Sequence, residues 1–135
     1  MVPPMHVQFL TPETLNRPAG YSHVVKALGG QTVYLSGQVA LDASGALVGR
    51  GDFRAQTQQV FENIKAALAA AGADFSHVVK LTIFVVDRSE LPAFREVRDR
   101  YVNTDAPPAS TLVEVRGLAM DDFLLEVEAI ANLSA

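Results

Sequence analysis

Two glutamates stand inside a mostly apolar run near the C-terminus, Phe123 to Leu133, and they are the residues of this chain best suited to acid–base chemistry. Alternation along a strand puts Phe123, Leu125, Val127, Ala129 and Ala131 on one face and Leu124, Glu126, Glu128 and Ile130 on the other. A carboxylate placed this way must be ion-paired or must reach water in a cleft. Left buried and unpaired it would cost several kcal/mol, against a total stability of about 5–15 kcal/mol. Glu114 shares a face with Leu112 and Arg116 on the preceding run, so a hairpin of the two runs would gather three acids and one arginine. Two readings follow. The acids pair with Arg116, Lys80 or a neighbouring subunit, or one of them lines a pocket, where it positions water or takes a proton from a substrate.

Among the histidines His23 stands out, because it follows Gly20-Tyr21-Ser22 at the entrance to a strand, whereas His6 lies near the terminus and His77 begins a strand. No H-x-x-x-H spacing is present, so no metal site is expected. The absence of cysteine excludes disulfides, thiolate nucleophiles and cysteine-ligated zinc. Neither a glycine-rich phosphate loop nor a nucleophile elbow occurs. With 11 basic residues against 15 acidic ones and no basic patch, the net charge of -4 disfavours binding to a nucleic-acid backbone. The first residues lack the features of an export signal, and no apolar run approaches the ~20 residues that span a bilayer. A cytoplasmic protein that does not enter membranes is expected.

These residues need a scaffold, and a chain of 135 residues predicts one domain over 1–135. Apolar residues are 49% of the chain and charged residues only 19%, which predicts that another subunit covers part of the surface. Strands are expected at Val7–Leu10, Ser22–Leu28 and Gln31–Ser36, with Gly29-Gly30 turning the last two into an antiparallel hairpin. A helix is expected over Phe53–Ala71, where Val60, Phe61, Ile64 and Leu68 share a face, capped by Asp52 and stopped by Gly72. The apolar run His77–Asp87 reads as the strongest strand. A second helix is expected over Glu90–Val102, with Ser89 as N-cap, Pro92 in the first turn and Leu91, Phe94, Val97 and Tyr101 as its apolar stripe. Strands Ser110–Arg116 and Phe123–Leu133 complete the order. The economical architecture is α+β, a mixed sheet with two helices packed on one face. Its other face would be bare unless a second subunit covers it.

The segments Ala19-Gly20-Tyr21, Leu35-Ser36-Gly37-Gln38-Val39, Val60-Phe61-Glu62-Asn63-Ile64-Lys65, Val78 to Asp87, Pro108-Ala109 to Val113-Glu114-Val115 and Leu125 to Ala131 carry a resemblance. From about Tyr21 to the C-terminus, and in the same order, the chain resembles the Rid proteins, also called RidA, YjgF or endoribonuclease L-PSP. The resemblance implies a chorismate-mutase-like fold and a homotrimer with small-molecule clefts between subunits. It further implies cofactor-free hydrolysis of imines and enamines to a 2-keto acid and ammonia. Chaperone-like and translation-inhibiting roles are implied by some relatives alone, and the acidic balance argues against an RNA version.

By the same resemblance Glu126 corresponds to a catalytic, water-positioning glutamate and Tyr21 to a tyrosine of the cleft, with His23 close by. The family's archetype clamps the substrate carboxylate with an arginine after Pro-Ala, and here that position is Ser110, with Leu112 in place of a cysteine. A serine hydroxyl cannot make the charged, bidentate contact of a guanidinium, so 2-iminobutanoate deamination does not carry over directly. Arg95 stands where the archetype has a cleft asparagine, and it is expected to supply a cation from another direction. The substrate-binding set expected is therefore Tyr21, His23, Ser110 and Arg95. A small-ligand-binding or regulatory trimer without catalysis is the alternative.

Overall fold

The computed structural model describes residues 6–134. Strands β1, Val7–Leu10, and β2, Val24–Ala27, form an antiparallel ribbon. The main sheet holds β3, Gln31–Gln38, β4, Val78–Val85, β5, Ala109–Glu114, and β6, Leu125–Leu133, in the order β3-β6-β4-β5. Only the β4–β5 pair is parallel. Helices α1, Phe53–Ala70, and α2, Leu91–Arg98, pack on one face of it.

Helix α1 forms where the sequence signals it. Asp52 Oδ1 accepts the amide of Ala55 at 3.1 Å, satisfying an N–H that the first turn of α1 leaves free. Gly72, at φ +75°, closes the far end in the left-handed region that glycine occupies without strain. Phe61 on α1 stacks on Tyr101 with centroids 5.2 Å apart and meets Phe94 of α2 at 5.9 Å. Tyr101 Oη donates to Glu62 at 2.7 Å, so rings and a hydrogen bond together fasten the end of α2 to α1. Below them Leu81, Ile83 and Val85 of β4 and Leu125, Val127, Ala129 and Ala131 of β6 form the buried face of the sheet. That face is the period-2 pattern of the sequence made solid.

Three expectations need correction. The turn at Gly29-Gly30 exists, with φ of +62° and +75°, but β2 and β3 do not pair across it. β2, largely exposed, pairs with β1 instead, and β3 lies beside β6, where Leu35 is buried. Nor do β5 and β6 form a hairpin, since β4, the most apolar strand, lies between them. The chain from β4 through α2 to β5 is a crossover, which delivers β5 parallel to β4 at the sheet edge. Glu114 is thereby parted from Glu126 and accepts the backbone amide of Arg88 at 3.0 Å. Finally, α2 is shorter than expected. A 3-10 turn over Arg88–Glu90 precedes it, and Ser89, instead of capping α2, donates to Asp87 Oδ1, which caps that turn.

The face away from the helices carries Tyr34, which is 76% exposed, with Val113 also exposed and Phe84 and Ile130 half-buried. A single chain leaves this apolar surface uncovered. At one end of the sheet Asn132 is buried, accepting from His6 Nε2 at 2.6 Å and donating to the carbonyl of Gly29 at 3.1 Å.

Candidate functional site

The loop before β2 is drawn onto the free edge of β5. The amide of Ser22 donates to the carbonyl of Pro108 at 3.1 Å, its hydroxyl donates to that of Pro107 at 2.5 Å, and Ser22 bridges Ala109 in parallel register. Tyr21 is thus carried to Ser110. Between them and α2 opens a cavity of about 260 Å³. Ser110 and Leu112 line it from the strand, Ala19 and Tyr21 from the loop, and Leu91, Phe94, Arg95 and Arg98 from the helix.

Tyr21, Ser110 and Arg95 therefore share one cavity, while His23 stands just outside it. The His23 ring meets Tyr21 edge-on at 5.4 Å and 79°, and its Nε2 donates to the carbonyl of Asn16 at 2.6 Å. It braces the tyrosine ring from behind. Arg95 is exposed and makes no ion pair among the described residues.

Sequence reasoning passed over Arg98, which lines the same cavity and is only 5% exposed. Its Nε donates to Asp99 Oδ1 at 2.9 Å, and its guanidinium fills the space that a side chain at Gly20 would need. The spacing gave only a partial signal. Leu91, Arg95 and Arg98 fall at i, i+4 and i+7, one helical face beside the apolar stripe.

Glu126 lies elsewhere. It is in register with Phe84 on the sheet face opposite the helices, whereas Ser110 is in register with Leu81 and faces the helix side. Its carboxylate sits over Gly37, where the register of β3 against β6 shifts between Leu35 and Gln38. Any Cβ at position 37 would collide with it. Glu126 makes no ion pair or hydrogen bond among the described residues, so the pairing with Arg116 or Lys80 that the sequence allowed is not made. Lys80 Nζ instead donates to Thr111 Oγ1 at 2.8 Å. One chain thus carries, on opposite faces of its sheet, a cationic cavity without a carboxylate in its wall and a carboxylate that makes no ion pair among the described residues.

Among the described residues no group of three or more His, Asp or Glu could hold a metal ion, and no helix is long and apolar enough to cross a membrane. The family described as Endoribonuclease L-PSP matches residues 13–133. Protein DfrA of Myxococcus xanthus is 44% identical over 111 residues, 82% of this chain and 83% of that protein. A 2-iminobutanoate/2-iminopropanoate deaminase of Dermatophagoides farinae is 37% identical over 97 residues, 71% of this chain and 74% of its own. The crystal structure of YyfB, a Rid-family protein of Yersinia pestis, superposes with a TM-score of 0.88 at 38% identity, covering 96% of this chain and all of that one. The α+β architecture, the run of matching segments and these similarities lead to one conclusion: the chain belongs to the Endoribonuclease L-PSP family, the Rid proteins.

Proposed function

We propose that this protein is a cytoplasmic homotrimer of single-domain chains, 1–135, that hydrolyses a small imine or enamine in clefts between its subunits. The division of the site carries this reading. Glu126 and the cavity of Tyr21, Ser110 and Arg95 lie on opposite faces of one sheet, and a second copy laid against the bare face would join a carboxylate of one subunit to a cavity of the next. The same contact would cover Tyr34 and Val113.

The chemistry balances without a cofactor. Glu126 accepts a proton from water as the oxygen adds to the C=N carbon and passes it to the nitrogen, giving the carbinolamine; as the C–N bond breaks, the hydroxyl proton travels to the nitrogen through the same carboxylate, and carbonyl and ammonia leave. An enamine enters the sequence once it takes a proton on carbon and gives one up from nitrogen, which makes it the imine. Tyr21, braced by His23, orients the substrate, Ser110 supplies a hydrogen bond, and Arg95 supplies charge. The deaminase relative supports this class of reaction. The serine at 110 favours a substrate other than 2-iminobutanoate, because its neutral hydroxyl grips a carboxylate more weakly than a guanidinium does.

Ammonia release from a panel of imines and aminoacrylate-type enamines tests the reading. Wild-type protein should turn over at least one of them, and Glu126→Gln should reduce that rate by about 100-fold or more. If ligands raise the melting temperature but Glu126→Gln changes no rate, the protein is a ligand-binding trimer and not a hydrolase.

A further inference from the structure

We infer that Arg98, together with Arg95, forms an oxyanion-binding subsite on α2 that takes a small monocarboxylate. The inference deepens the reading of this cavity as a ligand cleft, but its geometry lies within one chain. Arg98 is the charged group closest to being sealed in: 5% exposed, in the cavity wall, with Nε committed to Asp99 and no other hydrogen bond of its guanidinium made among the described residues. The two terminal nitrogens are the unspent donors. A guanidinium edge of this kind matches the two oxygens of a carboxylate.

The surroundings favour an anion over a merely structural arginine. Arg100, just beyond α2, is engaged with Glu96 at 3.2 Å, and Glu96 also meets Arg54 at 2.7 Å. Arg95 has no such partner among the described residues, and it lines the same cavity as Arg98. No acid belongs to that wall, although the chain as a whole is acidic. Two guanidinium charges set against the Asp99 carboxylate leave a single net positive charge, which a monocarboxylate neutralises and a phosphate dianion overfills. The Ser110 hydroxyl adds a neutral donor. Gly20 completes the subsite by lacking a side chain where the Arg98 guanidinium lies.

Calorimetric titration at low salt with sodium pyruvate, its neutral isostere pyruvamide and inorganic phosphate tests the subsite. Wild type should bind pyruvate at least tenfold more tightly than pyruvamide or phosphate. Arg95→Met and Arg98→Lys should each weaken pyruvate about tenfold while leaving pyruvamide unchanged. Asp99→Asn should act in the opposite sense and tighten pyruvate several-fold, which loss of a purely structural ion pair would not do. Arg95 is exposed, so its variant reports even where a change at the buried Arg98 impairs folding. Equal affinity for pyruvate and pyruvamide, no pyruvate binding, or unchanged binding in Arg95→Met would overturn the subsite, and preference for phosphate would overturn its carboxylate selectivity. The hydrolase reading is judged apart from this. Pyruvate binding that depends on these arginines in a protein without imine turnover would leave the subsite standing and remove the reaction.

Discussion

At the scale of single residues, the proposed hydrolysis turns on the pair of Gly37 and Glu126. Glycine at 37 is not required by its backbone, since its φ is not in the left-handed region; it is required by the carboxylate resting on it. Gly37→Ala should therefore fold, with a loss of about 1–3 kcal/mol from overpacking, yet displace the carboxylate and lower imine hydrolysis about tenfold or more. Urea denaturation and ammonia release on the same preparation check both parts; a variant with full activity would show that the placement of Glu126 over Gly37 is incidental. The glutamate itself could be found in the sequence because an acid breaks the apolar alternation of β6. Arg98 could not be found so easily. An arginine beside an apolar stripe has the same pattern whether its head reaches water or turns inward, and only the path of the Gly20 loop decides that.

At the scale of elements, the fastening of α2 to α1 is sensitive to alkali. Burial, and then the hydrogen bond to Glu62, push the Tyr101 phenol up to about 12 from 10.0. In the unfolded chain that phenol ionises near pH 10, while in the folded chain it keeps its proton to about 12, so between these values the folded state binds more protons. Its stabilisation is complete below pH 10 and lost as pH rises to about 12. The melting-temperature gap between wild type and Tyr101→Phe should accordingly narrow over that window, and a gap that stays constant would contradict the assignment. Local signals made α1, β4 and β6 readable: a capping Asp52, a terminating Gly72 and a strict alternation of apolar residues. Pairing was not local. Neighbours in sequence, β2 with β3 and β5 with β6, were expected to be neighbours in space, but burial of Leu35 against Ala129 and the central place of the apolar β4 outweighed proximity along the chain.

At the scale of the whole molecule, the proposed cleft depends on the face that one chain leaves bare. If that face is the subunit contact, Tyr34→Asp should place a charge in it and reduce the mass measured by light scattering from about three chains to one, with loss of imine hydrolysis. The high apolar fraction and the two-faced strands predict such a cover, but no pattern within a chain states which residues of a second copy would lie there. The division of the site between subunits has its most direct test in complementation. Glu126→Gln and Arg95→Met proteins, each impaired alone, are unfolded together at equal concentrations and refolded into mixed trimers. If one subunit supplies the carboxylate and its neighbour the cavity, about a quarter of the clefts regain both wild-type parts and ammonia release recovers in proportion. Mixed trimers that remain as slow as the average of their two parents would show that both parts act within one chain, contrary to the account.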